Sequence, residues 1–162
     1  MARTIDYWTL VEPVWLRLNR SWDDGPEAFI RRFRSIQLEI GHLYAAHWCQ
    51  SEVCNGGLEQ FFFNSTGLLA PEALEGFRAI STTELAKALG AAMNQFGSPY
   101  PRDRAARQKY LSKLKRGARR KHDPFEDWDD QFYKWEQNWE KAADAYATRF
   151  IAKVKRSRKR ES

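Results

Sequence analysis

The amino-acid sequence predicts an all-α protein, a compact multi-helix bundle-like domain that ends in a long C-terminal helix with an aromatic seam. Apolar residues recur at every third or fourth position along most of the chain, which is the spacing of one helix face. No stretch rich in Val, Ile and Thr alternates with polar residues as a half-buried strand would. We therefore expect one all-helical domain over residues 1–152 and a basic C-terminal tail over 153–162.

Length and composition support a soluble globular domain. The 162 residues are 43% hydrophobic, 30% charged and 14% aromatic, which is enough to bury a core and argues against disorder. No apolar run approaches the length of a membrane span, and the first residues do not read as a signal peptide. The two cysteines, Cys49 and Cys54, are too few for a disulfide framework, so we expect reduced thiols and a cytoplasmic location.

The first helix is predicted over residues 6–19, with Pro13 as an imperfection, and the turn at 21–25 ends it. Pro26 suits a first helical position, and apolar spacing then predicts one long helix that reaches about Val53. A short helix over 58–64 follows.

Pro71 begins the next helix, which should reach Ile80. Ser81 and Glu84 have the spacing of a capping box, which predicts a helix that starts there and ends at Gly97.

Residues 98–101 are predicted to be a loop because they include two prolines. Asp103 can cap a basic helix that ends at Gly117, and a hinge should extend to Asp123. Asp123 and Pro124 then supply a cap and a first-turn proline for the last helix.

Aromatic residues form a seam along this last helix. We expect the seam to pack on other helices of the same domain, with a homodimer interface or a bound partner as the alternative. The residues of the seam are Phe125, Trp128, Phe132, Trp135, Trp139, Ala142, Tyr146 and Phe150.

Charge is arranged in blocks. Residues 102–121 hold ten basic residues and one acidic residue, 122–148 hold two and eight, and 149–162 hold seven and one. The basic blocks are interpreted as solvated helix ends, with contact to phosphates or to an acidic protein as alternatives. The residues that would contact phosphates are Lys113, Lys115, Arg116, Arg119, Arg120, Lys121, Lys155, Arg156, Arg158, Lys159 and Arg160.

Metal and catalytic sites are not expected. His42, His47, Cys49 and Cys54 are close in sequence, but their spacing does not match the usual zinc-ligand pairs. Phosphate-loop, dinucleotide-binding and nucleophile-elbow motifs are absent from the sequence, and Gly56 and Gly57 separate Glu52 from Glu59, the one carboxylate pair considered for acid–base chemistry. We predict no cofactor and no enzymatic activity.

Residues 52–67 concentrate amides, glycines and aromatics. Asn55, Gly56 and Gly57 tolerate positive φ and can reverse the chain between two helices. Glu52 and Gln60 would flank that reversal and bond free backbone amides. The motif, which we interpret as structural, comprises Glu52, Asn55, Gly56, Gly57, Gln60, Phe61, Phe62, Asn64, Ser65 and Gly67.

This motif, followed by Ala73-Leu74 and by Phe77 and Ile80, resembles the bacterial DNA-mimic-protein-like helical domain family, which is largely of unknown function. The resemblance covers about residues 38–114, and Ser81 stands where it implies a Gly. It implies an all-helical fold and a role in which an acidic, DNA-like surface occupies a transcription regulator.

The sequence therefore predicts a non-enzymatic binding or regulatory module whose partner is a protein. The alternative is a nucleic-acid-binding accessory protein that uses the basic segments 102–121 and 153–160. A homodimer through the C-terminal helix is a further possibility, and no membrane partner is expected.

Overall fold

A computed structural model gives the structure of residues 4–117 and 123–161, and these residues form helices and loops with no strand. Two short 3-10 turns, Trp22–Asp24 and Ser65–Leu69, connect the longer elements. The all-α prediction is confirmed. The helices of the described residues are α1 Trp8–Asn19, α2 Pro26–Arg34, α3 Leu38–Phe63, α4 Ala70–Ile80, α5 Thr83–Asn94, α6 Arg104–Gly117 and α7 Glu126–Glu161.

Helix α3 is the centre of the domain. It contacts α1 and α2 on one side and α4, α6 and α7 on the others. Its Leu43, Tyr44 and Cys49 side chains are fully buried, as are Phe61 and Phe62 near its end. This central position explains why α3 has apolar residues around much of its circumference, with exposure confined to Leu38, Ser51, Asn55, Gly56 and Phe63.

The long helix predicted over 26–53 is wrong, because the chain breaks between α2 and α3. Gln37 has extended backbone angles (φ −55°, ψ 132°) and ends the helical path. The break brings Phe33 and Ile36 back against Gly41, where a Cβ would lie 3.2 Å from the Phe33 ring. Apolar spacing continues across the break, so periodicity alone could not reveal it.

Residues 55–57 join two helical segments of α3 through a kink, at the place where the sequence predicted a chain reversal. Gly56 (φ −161°, ψ 27°) and Gly57 (φ 76°, ψ 173°) both leave the helical region. The second segment ends at Phe63, in agreement with the predicted short helix over 58–64.

The predicted capping box does not form. Ser81 is left-handed (φ 68°) and serves as the C-cap of α4, so its side chain is not placed to cap α5. Thr82 precedes α5 instead, and its Oγ1 donates a hydrogen bond to Phe77 O at 3.0 Å. Helix α5 ends at Asn94, three residues before Gly97.

Of the two predicted aspartate caps, that of Asp103 forms and that of Asp123 does not. Asp103 Oδ1 accepts the backbone N–H of Ala106, the third residue of α6, at 2.8 Å. Asp123 Oδ1 accepts the N–H of Phe125 at 2.9 Å, but Phe125 precedes α7, so Asp123 and Pro124 form a turn before the helix and do not supply its cap and first-turn proline. The hinge predicted between Gly117 and Asp123 lies outside the described residues.

The aromatic seam, from Phe125 just before α7 to Tyr146, packs against the rest of the domain. Phe125 and Phe132 are fully buried, and Trp139 is nearly so. Towards the C-terminus, Ala143 and Ala147 take over the buried face, whereas Ala142 is only half-buried. The helix continues through the basic residues after 152, and no helix in the described ranges is long and apolar enough to span a membrane.

Candidate protein-binding face

Glu52 is the centre of a hydrogen-bonded cluster that ties the two segments of α3 together. Its Oε2 accepts hydrogen bonds from Gln60 Nε2 at 2.7 Å and Asn64 Nδ2 at 3.0 Å. Its Oε1 accepts one from Thr66 Oγ1 at 2.9 Å. The carboxylate thus bonds side chains across the kink, not the free backbone amides that the sequence suggested. Thr66, which is not among the residues of the predicted motif, also belongs to the cluster.

Asp129 of α7 caps the second segment of α3. Its Oδ1 accepts the backbone N–H of Leu58 at 2.7 Å, a group that the kink leaves without a helical partner. Gly57 has a positive φ, and a Cβ there would lie 2.6 Å from Asp129 Oδ2, so only glycine fits. Burial raises the pKa of the Asp129 carboxyl to about 6.

Arg107 holds the end of the motif although it belongs to a basic block. It is fully buried, and its guanidinium donates hydrogen bonds to Phe62 O and Asn64 O, each at 2.8 Å. Gly67 fits beside it because a Cβ there would lie 2.5 Å from Phe61 O. These contacts use Arg107 inside the fold, where it cannot meet a phosphate.

The motif residues therefore meet at one helix junction. Phe61, Phe62 and Gly57 are buried there, and Gln60, Asn64 and Ser65 are half-buried. Only Asn55 and Gly56 of the predicted set are exposed. The motif leaves little side-chain surface to a partner.

The basic charge of α6 and of the loop before it is partly used inside the molecule. Arg102 makes a two-pronged ion pair with Glu72, with both N–O distances at 2.8 Å, and Lys115 pairs with Glu59. Lys113 and Arg116 of α6 are exposed. The predicted phosphate-contact residues Arg119, Arg120 and Lys121 lie outside the described residues.

The second basic block forms the last turns of α7 and is exposed. Its predicted phosphate-contact residues are Lys155, Arg156, Arg158, Lys159 and Arg160. Basic groups at a helix C-terminus and acidic groups in its first turn both complement the helix dipole, and α7 has both. The interpretation as a solvated helix end therefore has a physical reason in the structure.

Four carboxylates line one side of α7 and define what we call the acidic groove: Asp6, Glu136, Glu140 and Asp144. The last three are four residues apart, so they share a helix face with steps of about 6 Å along its axis. Asp144 Oδ1 also accepts the backbone N–H of Tyr7 at 2.8 Å, which fixes the start of α1 against α7. The acidic block is visible in the sequence, whereas the groove is not, because Asp6 joins it from the opposite end of the chain.

Two adjoining cavities occupy the groove between α1, α3 and α7. The first has a volume of about 380 Å³ and the second about 430 Å³, and they share Tyr7 and Glu140. The second is lined by Asp6, Tyr7, Trp8, Glu140 and Asp144. The first is lined by Tyr7, His47, Gln50, Ser51, Cys54, Asn55, Glu136, Trp139 and Glu140.

The groove is negatively charged at neutral pH. Burial lowers the pKa of His47 to about 4, so its ring is neutral, and its Nδ1 lies 2.9 Å from Tyr7 Oη. Burial, with a smaller contribution from Glu136, raises the pKa of the Cys54 thiol to about 11. No Lys or Arg of the described residues lines either cavity, so the carboxylates determine the local charge.

A larger cavity of about 590 Å³ lies elsewhere, between α2, α3 and α4. Its lining is mainly apolar and includes Phe33, Ile36 and Leu38, the last of which is 68% exposed. It does not adjoin the acidic groove, and its charged lining residues are of both signs.

The histidines and cysteines considered as metal ligands do not converge. His42 Nδ1 lies 2.8 Å from Tyr146 Oη, whereas His47 faces Tyr7. Within residues 4–117 and 123–161, no three His, Cys, Asp or Glu side chains are placed to hold a metal ion.

Comparison with known sequences gives one family. The family model described as DMP19-like protein matches residues 35–152, which include α3 to α6 and most of α7. No curated protein and no solved structure matches the chain.

Proposed function

The chain belongs to the DMP19-like protein family, a family of DNA mimic proteins, and we propose on this premise that it is a non-enzymatic binding module for a DNA-binding protein. The acidic groove is the surface that the partner contacts. The observation that carries the proposal is the row of Glu136, Glu140 and Asp144, extended by Asp6, in a groove with no lining cation among the described residues.

The spacing of the row supports contact with a phosphate-binding surface. A DNA strand carries one phosphate about every 3.4 Å of helix axis, and the row carries one carboxylate about every 6 Å. The row therefore has the regular order of a phosphate strand at roughly half its charge density. Such a surface suits a partner that contacts DNA through a few Lys and Arg side chains.

The positive net charge of the chain is compatible with this proposal. The excess of basic residues comes from α6 and from the last turns of α7. Exposed charges separated by more than about 10 Å are largely screened at 0.1 M salt, so local charge decides what binds at the groove.

The partner can be identified and tested in two steps. The immobilised chain is exposed to a cell extract, and the proteins that bind to it are eluted with duplex DNA. The eluted protein is then purified. Fluorescence anisotropy of labelled duplex DNA bound to that protein is then followed as the chain is added. We expect stoichiometric displacement of the DNA, and a captured protein that binds the chain and DNA simultaneously would contradict the proposal.

A second candidate function is nucleic-acid binding through the basic segments 102–121 and 153–160. It is favoured by the exposed run of basic residues on the last turns of α7. Anisotropy titrations of duplex DNA and RNA, at low and physiological salt, would compare the full chain with a chain that ends at Ala152. Salt-sensitive binding that falls on truncation would support this function, and no binding at physiological salt would contradict it.

A further inference from the structure

We propose that the cavity of about 380 Å³ between α3 and α7 receives the guanidinium group of an arginine from the partner. This inference rests on the proposed function and names the chemistry by which the acidic groove recognises its partner. It makes this cavity the specific part of an otherwise electrostatic surface.

The charge of the cavity selects a cation. Glu136 and Glu140 are both exposed at its rim, and no Lys or Arg of the described residues lies within ion-pair distance of either. The other groups that line the cavity are neutral at pH 7. An anion would therefore meet repulsion there, and a cation would meet two carboxylates without a competing internal partner.

A buried acceptor gives the cavity a second, independent feature. Gln50 lines it and is only 4% exposed, and its Oε1 accepts no hydrogen bond from the described residues. Its Nε2 donates to Cys54 Sγ at 3.1 Å and lies 3.5 Å from Phe132 O. These contacts orient the amide and leave its oxygen without a donor. Buried acceptors without a donor are rare in folded proteins, and a ligand N–H would satisfy this one if the Gln50 side chain turns towards the cavity.

The arrangement of acceptors favours arginine over lysine. A guanidinium has five N–H donors in a planar fork, whereas an ammonium has three around a point charge. The lining offers acceptors at Glu136, Glu140, Ser51 and Asn55 in addition to Gln50, and these lie on two different helices. Tyr7 and Trp139 also line the cavity, and because they are only 7% and 5% exposed they form part of its wall and offer no open ring face.

The direct test uses a short peptide as the probe. The ¹⁵N-labelled chain is titrated with acetyl-Gly-Arg-Gly-amide and, separately, with the same peptide containing citrulline, which has a similar shape and no charge. We expect saturable shifts of the Gln50 side-chain amide and the Trp139 indole N–H with the arginine peptide, and at least about tenfold weaker binding of the citrulline peptide. Equal responses to both peptides, or shifts that do not saturate, would overturn the proposal.

Three variants locate the site. Glu136→Gln and Glu140→Gln should each weaken arginine-peptide binding about fivefold, because both carboxylates are exposed and their ion pairs are partly screened. Glu27→Gln, which removes an exposed carboxylate in the first turn of α2, should leave binding unchanged. Equal effects of the three variants would show general charge attraction and overturn the cavity assignment.

The variant Gln50→Leu tests the buried acceptor. It keeps the side-chain volume and both carboxylates, so a further loss of arginine-peptide binding would be due to the amide oxygen. Unchanged binding would overturn the assignment of Gln50 as a ligand contact.

The peptide experiment and the DNA-displacement experiment test different claims, so either can give a negative result without the other. Displacement of DNA by the chain without selective arginine binding would leave the proposed function standing and overturn the cavity. Selective arginine binding without displacement of DNA would support the cavity and contradict the proposed function.

Discussion

Asp129 and Leu58 are 71 positions apart in sequence, and the Asp129 carboxylate accepts the Leu58 backbone N–H at 2.7 Å. This bond makes α7 part of the kink in α3, because the second segment of α3 takes its N-terminal cap from α7. The junction of Glu52, Gln60 and Asn64 and the helix that bears the acidic groove are therefore one structural unit.

The pH dependence of stability tests the buried carboxylate. Burial raises the pKa of Asp129 to about 6 in the folded protein, above about 3.9 in an unfolded chain. The folded state thus binds a proton more readily between these values, and stability from this group rises as pH falls through 6. Relative to Asp129→Asn, the wild type should gain about 2 kcal/mol in free energy of unfolding between pH 7 and pH 4.5.

Urea unfolding at the two pH values, with circular dichroism as the readout, measures this difference. The exposed pair of Glu84 and Lys87 supplies the control, because the wild type should show no such gain relative to Glu84→Gln, which keeps Asp129. A wild type that loses stability relative to Asp129→Asn on acidification would contradict the assignment.

The kink requires glycine at position 57. Gly57→Ala should destabilise the protein by about 3 kcal/mol, because its positive φ is strained for alanine and its Cβ would clash with Asp129. Gly90→Ala is the matched control within a helix, where a Cβ would have ordinary contact with Leu74 at 3.7 Å. That change should stabilise α5 by about 0.5 to 1 kcal/mol. Thermal unfolding of both variants measures the contrast, which similar effects at both positions would contradict.

Replacement of Ser81 by glycine should stabilise the protein. Among the residues that the structure describes, Ser81 is the one non-glycine residue with a positive φ, and it lies between α4 and α5. Ser81→Gly should raise the free energy of unfolding by about 0.5 to 1 kcal/mol, because glycine adopts this conformation without a Cβ penalty. Ser81→Ala should give no gain, since alanine has the same penalty. An equal gain in both variants would indicate that the backbone conformation is not the cause.

Arg107 should not tolerate lysine. Its guanidinium is fully buried and bonds backbone carbonyls of two separate segments, which a single ammonium cannot reach together. Arg107→Lys should cost about 3 kcal/mol. The exposed Arg116 of the same helix gives the control, and Arg116→Lys should change stability by less than about 0.5 kcal/mol in the same urea titration. Equal losses would contradict the structural role of Arg107.

Much of the fold could be predicted from sequence because local chemistry fixes it. Asp103 caps its helix as its position indicates, and Pro71 lies in the first turn of α4. The break before Leu38 could not be predicted, because Ser35 to Gln37 contain neither Gly nor Pro and the apolar spacing runs through them. Tertiary packing of Phe33 on Gly41 stabilises the break.

The candidate site was predicted only in part. The motif residues were identified, but their role depends on Asp129, Arg107 and Thr66, which no local pattern connects to them. A charge count treats Arg107 as part of a basic surface, whereas the fold buries it against carbonyl groups. The acidic groove likewise depends on Asp6 and α7 meeting, which is a property of the tertiary fold.

The central claim is that the acidic groove, and not a basic segment, occupies the DNA site of the partner. The most direct test is displacement of labelled duplex DNA from the captured partner by three chains: the wild type, Glu136→Gln/Glu140→Gln, and a chain that ends at Ala152. We predict that the double variant needs at least about tenfold more protein than the wild type, whereas the shortened chain acts like the wild type. Loss of displacement on shortening, with the double variant unaffected, would contradict the claim.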